Sequence, residues 1–445
     1  MNFKNKKILH FGNIANNAYL NSKYLRDLGY CSDVISHDYK HIMGQPEWED
    51  SDLTSFGDQF DPQFKSESFF VRPSWFYDGS IKNIIKKFKK EKKIFNHKSL
   101  KEFFLDIFYY QFFFLLFFLV YKTLIFFFNL NCKKNFHNFL LLHKYHIDSV
   151  LLKRIFNYYD FIIFYGATSI YGYLSNSKYY CYEHGTIRDI PYQNNLFGNL
   201  VNKSYKNCHH LFITNCDAIN DAKKIGINNF SFIPHPVNEN LPKKNDKKKI
   251  NQLIELINGK EGIKIFHPAR QHWSKDYRDP SLDKGNDIFW DGLKKLKDNN
   301  KSFFCIAVKW GDSFDKTLAY LDKLKISKNV LFIEPLCHFD FVRILKNVDI
   351  LADQFYLGSF GSLAPKALML GVPVLINYNE INHSWALSSD PPFINCKSSK
   401  DVFNNLNNYN KMSLDELSKV SSDWYLKNHS KDIIIKNFIR IFNNK

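Results

Sequence analysis

Short, almost wholly apolar runs separated by stretches with helical spacing set the rhythm of this chain. Near the amino terminus the run Lys7 to Gly12 ends in Gly-Asn. A helix-like pattern follows from Ala18 to Leu28, Gly29 stops it, and a second apolar run begins near Cys31. Runs of this length bounded by turn residues read as strands buried on both faces, as in a parallel sheet covered by helices. The rhythm returns with strands expected at Phe161 to Tyr165, Tyr179 to Glu183, Leu211 to Thr214 and Ser231 to Ile233. A second series runs through Lys264 to His267, Phe303 to Val308, Val330 to Ile333, Asp349 to Ala352 and Pro373 to Ile376. Helices at about 413 to 427 and 430 to 442 close the chain. Between the two series, Pro234-His235-Pro236 and the lysine-rich stretch Pro242 to Lys249 read as a linker. Strands alternating with helices define an α/β fold of two Rossmann-like domains, residues 1–240 and 241–412, followed by closing helices at 413–445.

The rhythm breaks between about 40 and 135. Residues 40 to 80 are polar and aromatic without a clear period, and lysines accumulate from Lys82 to Lys101. Phe103 to Phe128 is then a phenylalanine-rich run in which only Asp106 and Lys122 carry charge. The fifteen uncharged residues between those two, IFYYQFFFLLFFLVY, fall short of the ~20 that one helix needs to cross a bilayer. A Phe and Tyr body flanked by lysines suits a helix lying in, or dipping into, an anionic inner leaflet. A buried helical hairpin and a true span are the other readings. A span would put the two halves of the first domain on opposite sides of the membrane, which argues against it.

Composition narrows the classes. At 445 residues with 45% apolar content, the chain has material for two cores. The 61 basic and 44 acidic residues give a formal charge of +17, which suits phosphorylated ligands, an anionic membrane surface or nucleic acid. No zinc-finger, basic-zipper or ribonucleoprotein signature is present, so no nucleic-acid partner is expected. The cysteines are scattered without a CxxC pair, as in a reduced cytoplasmic protein rather than a disulfide framework or zinc site. The amino terminus runs straight into a strand, without a signal-peptide core.

The run DILADQFYLGSFGSLAPKALMLGVPV, Asp349 to Val374, carries the strongest chemical signal. It reads as a strand, a glycine-bearing turn, a helix and a Gly-Val-Pro stop before another strand. Gly358 and Gly361 let backbone lie close to a ligand, and the first-turn amides of a helix at about 362 to 370 suit an anion. This run resembles the donor site of GT-B glycosyltransferases, especially the retaining family 4. Members of that family carry a glutamate, Gly-Phe-Gly, a second glutamate, and a helix ending in Gly-x-Pro-Val. Ser359-Phe360-Gly361 and Gly371-Val372-Pro373-Val374 keep the frame, with Gly358 and Lys366 standing where the glutamates belong.

The resemblance extends upstream. After the strand KIFHP come Ala269-Arg270 and then Lys284-Gly285, where family members show Gly-Arg and Lys-Gly. An insertion with Trp273, Lys275 and Arg278 lengthens the gap. Sugar transfer leaves a diphosphate, whose growing charge fixed cations neutralise when no metal does, so Arg270 and Lys284 are the expected phosphate ligands. Glu334 occupies the loop where this fold meets the nucleobase, Asp353 and Gln354 form a polar pair suited to sugar hydroxyls, and Ser362 opens the helix. Lys366 is donor-only and cannot accept from a ribose, but suits a phosphate.

On the acceptor side, Tyr182-Glu183-His184-Gly185-Thr186-Ile187-Arg188-Asp189 follows a strand. The resemblance places His184 beside the transferred sugar, with Glu183 or Asp189 orienting it and Arg188 meeting an acceptor phosphate. A structural histidine is the alternative. Gly12-Asn13-Ile14-Ala15-Asn16-Asn17 forms a loop facing the cleft, with Asn13, Asn16 and Asn17 as uncharged donors and acceptors. The histidines at 235, 267 and 272 have no metal-like spacing, so no metal and no cofactor are expected beyond a nucleotide-diphosphate sugar as donor substrate.

The resemblance thus implies a metal-independent glycosyltransferase facing a cleft between two domains. Its expected acceptor is a lipid-linked glycan or polysaccharide of the cell envelope, and its expected place is the cytoplasmic face of the membrane. A GT-B sugar-nucleotide epimerase and a non-catalytic membrane-associated partner are the competing readings.

Overall fold

The structure is a computed structural model. It describes residues 5–37, 39–66, 70–92, 108, 112, 115–116, 118–119, 133–242, 247–273, 282–408 and 411–443. Most of the phenylalanine-rich run 103–128 lies outside the described residues, as do Lys275 and Arg278. Among the described residues no helix is long and apolar enough to cross a membrane.

Among the described residues, nine strands belong to the first half: β1 (Lys7–Phe11), β2 (Cys31–His37), β3 (Leu53–Gly57), β4 (Pro62–Ser66), β5 (Phe76–Gly79), β6 (Phe161–Tyr165), β7 (Tyr180–Glu183), β8 (Leu211–Ile213) and β9 (Phe230–Phe232). Seven of them form a parallel sheet in the order β5-β2-β1-β6-β7-β8-β9. The second half holds β10 (Ile263–His267), β11 (Phe303–Val308), β12 (Val330–Ile333), β13 (Ile350–Ala352), β14 (Val374–Ile376) and β15 (Ile394–Asn395). They make a parallel sheet ordered β12-β11-β10-β13-β14-β15.

Each sheet is apolar on both faces because helices cover both, and the period-two alternation of a strand feeds two cores at once. In the first lobe Leu9, Phe11, Ile162 and Phe164 pack with Ile84 and Phe88 of the helix Ile81–Lys92 and with Ile155 of the helix Lys133–Phe156. Their neighbours Ile8, Ile163 and Tyr165 point the other way, onto Leu20 and Tyr24 of the helix Asn17–Asp27. The last helix, Lys431–Asn443, packs on this same face through Ile434, Ile435, Phe438 and Phe442, with Phe442 stacked on Phe161 at 4.3 Å between ring centres. In the second lobe Phe289, Trp290, Leu293 and Leu296 repeat at helical spacing along Asn286–Asp298 and bury against Ile265, Cys305 and Ala307.

Strand order locates the cleft. It reverses at β1, which lies between β2 and β6, and at β10, which lies between β11 and β13. The crevice beyond the carboxyl ends of strands at such a reversal is where α/β sheets take ligands. The stretch without a clear period also folds: residues 46–50 make a short helix, β3 and β4 pair antiparallel, and β5 joins the edge of the first sheet. Strand β5 (FYDG) is short and half exposed, so its apolar signal is weak.

Candidate functional site

A cavity of about 580 Å³ lies between the carboxyl ends of the two sheets. From the first lobe it is lined by Ile14, Ala15, Tyr39, Met43, His184 to Ile190 without Ile187, Asn215 and His235. From the second come Ala269, Arg270, His272, Leu282, Lys284, Trp310, Asp353, Gln354, Leu357, Ser359 and Gly361 to Leu363. Of the residues expected from sequence, the cavity therefore gathers His184, Arg188, Arg270, Lys284, Asp353, Gln354, Ser359, Gly361 and Ser362.

The loop after β1 is tightly built. Gly12 has φ +90, and a Cβ there would meet the Thr168 side chain at 3.1 Å, so only glycine suits the turn. Asn13 Nδ2 donates to Asn16 Oδ1 at 2.9 Å and to the Gly44 carbonyl at 2.8 Å, while Asn13 Oδ1 accepts from the Tyr19 amide. Asn16 donates to the Gln45 carbonyl. Asn13, Asn16 and Asn17 are thus buried, and the cavity wall falls to Ile14 and Ala15. Ala15 and Asn16 sit at φ 49 and 55, a conformation that side chains tolerate poorly.

After β7, Glu183 does not orient His184 as sequence suggested. Its buried carboxylate accepts from the Gly185 and Ile187 amides and from Tyr205, so it shapes the turn that carries the histidine. Asp189 accepts from Gln193. His184 Nε2 is buried without a hydrogen-bond partner among the described residues, and burial lowers the imidazole pKa to about 4, leaving the ring neutral at pH 7. Arg188 forms a two-point pair with Asp217, at 2.8 and 2.7 Å. Burial would raise the Asp217 carboxyl, but the Arg188 guanidinium outweighs it and holds the pKa below the ordinary value. Asn215 and His235, joined by a 3.2 Å hydrogen bond, complete this wall.

The second wall carries the available charge. Exposed Arg270 lies over the Trp310 ring at 5.3 Å, with Met43 Sδ 3.7 Å away. Trp310 is fixed by donating Nε1 to the Pro268 carbonyl. Gly285, at φ +61, brings its backbone so near Phe355 that a Cβ would stand 2.9 Å from the Phe355 carbonyl carbon. That approach sets Lys284 beside the next strand end, where its ammonium donates to Gln354 Oε1 at 2.8 Å. Burial lowers the Lys284 pKa to about 8, partly offset by Asp353 and reinforced by Arg188 and Arg270. Burial likewise raises Asp353 to about 6, against the pull of Lys284 and of the Ala364 amide. The first-turn amide expected to meet an anion thus already faces the Asp353 carboxylate.

Several expected donor residues lie elsewhere. Glu334 is exposed, 3.6 Å from Lys309, and outside the cavity lining. Gly358 forms a turn at φ +66 whose carbonyl accepts from Asn379. Phe360 is buried and stacks on His383 at 5.2 Å. Lys366 points away from the cavity, with its ammonium 3.7 Å from Glu49 and over the Phe341 ring. Its positive charge therefore meets an opposite charge from the first lobe. Sequence reasoning missed Asn215, Asp217, His235 and Trp310. All four follow the carboxyl ends of parallel strands, the one signal that would have found them. Among the described residues no group of three or more His, Cys, Asp and Glu could hold a metal, and the described cysteines are free.

Solved structures share this architecture. A glycosyltransferase from Rickettsia africae aligns over 98% of this chain and 98% of its own, with a TM-score of 0.56 and 14% identity. Sucrose-phosphate synthase from Thermosynechococcus elongatus covers 98% of each chain, with a TM-score of 0.55 and 8% identity. HepE from Anabaena, solved with UDP-glucose, matches 66% of this chain and 82% of its own, with a TM-score of 0.51 and 12% identity. The chain has the GT-B fold. At these identities the likeness extends to the fold alone. No protein-family model and no curated protein matches the chain.

Proposed function

We propose that this protein is a glycosyltransferase that moves a sugar from a nucleoside-diphosphate sugar to a lipid-linked or polysaccharide acceptor of the cell envelope. One observation carries the reading. His184 Nε2 and Asp353 Oδ2 are buried without a hydrogen-bond partner among the described residues, and both residues line the cavity that also holds Arg270 and Lys284. Buried polar atoms are nearly always satisfied, so a ligand rich in hydroxyls beside two cations fits this cavity. HepE, which has the same fold, was solved with UDP-glucose.

In the proposed reaction the bond between the anomeric carbon and the diphosphate oxygen breaks as the acceptor oxygen bonds that carbon. The acceptor proton passes to the departing phosphate. Arg270 and Lys284 take up the charge that grows on the diphosphate, without a metal. His184, neutral, meets the sugar through Nε2, while Asp353 and Gln354 hold its hydroxyls. Retention of anomeric configuration follows from the resemblance to family 4. A panel of nucleotide sugars tested by calorimetry is expected to yield at least one donor that binds; binding of none removes the proposal.

The site of action is the cytoplasmic face of an anionic membrane. The helix Ile81–Lys92, which precedes the apolar run 103–128 in sequence, buries Ile81, Ile84, Ile85 and Phe88 and presents Lys82, Lys86, Lys87 and Lys90 to solvent. Removing 103–128 is expected to abolish sedimentation with vesicles containing anionic lipid while UDP still binds. Loss of both would mark the run as core instead.

A further inference from the structure

The segment 39–66 runs between the lobes and is held at both ends. On the first-lobe side its Gly44 and Gln45 carbonyls accept from Asn13 and Asn16, each at 2.8 Å. On the other side Ile42, Trp48 and Leu53 share a buried cluster with Cys337. Beside that cluster lies an ionic knot. Arg343 Nη1 stands 2.7 Å from Asp52 and 2.8 Å from Asp340, and Lys247 Nζ stands 3.0 Å from Asp340 and 3.4 Å from Asp52 while donating to the Leu53 carbonyl. All four side chains are at most 10% exposed. Glu49, 3.7 Å from both Lys366 and His338, adds a third attachment.

We propose that this segment is a strut that sets the cavity wall according to the position of the second lobe, with Asp52, Lys247, Asp340 and Arg343 as its anchor. The idea rests on sugar transfer occurring in the cleft, and these four are positioning residues that touch no substrate. A buried ionic knot is made whole or not at all, because losing one partner leaves an unpaired charge out of water. The anchor therefore behaves as a latch with two settings rather than a spring. Its far end reaches the strained residues. Ala15 and Asn16 hold positive φ while Asn13 and Asn16 bond the strut, and a strained backbone persists only where its surroundings enforce it. The strut also reaches the opposite wall, since Lys366 lies on the helix that follows Gly361 and Ser362. Tyr39 and Met43 of the strut line the cavity themselves. A donor that draws the lobes together would thereby set the wall formed by Ile14 and Ala15.

The test uses the full chain and two independent readouts. In Arg343→Gln, amide exchange at residues 12–17 is expected to accelerate about tenfold or more without substrate, while exchange in β6 and β11 stays unchanged. In the same variant kcat is expected to fall about tenfold, with the affinity for UDP within about threefold of the parent. Arg343→Lys, which keeps the charge, restores most of both. Joining Arg343→Gln to Asn13→Ala, which cuts the other end, is expected to give no greater loss than the worse single change. Unchanged exchange at 12–17, or additive losses in the double variant, would overturn the strut. The exchange readout needs no transfer reaction, so it decides for or against the strut even in a chain that binds no nucleotide sugar. Should Arg343→Gln fail to fold, Asp52→Asn supplies the same comparison.

Discussion

The two walls of the cleft are built on opposite principles. In the first lobe the polar groups are committed to one another: Glu183 holds loop amides, Asn13 and Asn16 hold each other and the strut, and Arg188 is paired with Asp217. In the second lobe Arg270 rests on an aromatic ring and Lys284 has a neutral amide as its hydrogen-bond acceptor, with a carboxylate nearby. The first wall thus has a fixed shape with little free charge, whereas the second offers charge at the strand ends. A reaction that releases an anion into one wall while a neutral hydroxyl attacks from the other suits this division.

The contrast between the walls is most vulnerable at Asp217. Replacing it by alanine strips the half-buried Arg188 of its two-point partner, so thermal unfolding of Asp217→Ala is expected to show a loss of about 3 kcal/mol. If the loss were negligible, the first wall would not be the self-supporting one. Next come the second-wall cations. Arg270→Ala and Lys284→Ala are each expected to weaken binding of the nucleoside diphosphate of the donor that binds by about 1.5–3 kcal/mol, measured by calorimetry, with little change in melting temperature. A stability loss in place of a binding loss would reverse the assignment of the walls.

Acidity probes the same contrast. Because burial lowers Lys284 to about 8, it is charged below that pH and loses its proton as pH rises through it. Affinity for the nucleoside diphosphate of the donor that binds is therefore expected to hold between about pH 7 and 8, where Asp353 is already ionised, and to fall by up to about tenfold per unit above pH 8, a fall absent from Lys284→Met. Titrations at several pH values check this, and a rise in affinity above pH 8 would contradict it. The smallest effect is expected at Ala15, where glycine relieves a positive φ. Ala15→Gly should stabilise the chain by about 1 kcal/mol or less in a denaturant titration, because glycine also gains freedom when unfolded.

Much of the fold was legible in the order of residues. Parallel strands buried on both faces leave continuous apolar runs, and that signal is local, so β1, β6, β10 and β11 stand out. The residues beyond those strands include Arg270, and Lys284 precedes a helix whose apolar spacing is plain. What failed did so for an equally physical reason. Strands β3, β4 and β5 are short and partly exposed, so they carry little pattern, and the family frame around Phe360 said nothing about where each side chain turns.

The order of residues was therefore enough for the α/β class, the two strand series and the strand-end cations, because each depends on neighbours within a few turns of chain. Which groups face the cavity was settled only by packing in three dimensions. Lys366 turned to Glu49, Glu183 to backbone amides and Phe360 to His383. A buried charge or ring must find its partner wherever the fold supplies one, and for Lys366 that partner lies in the opposite lobe.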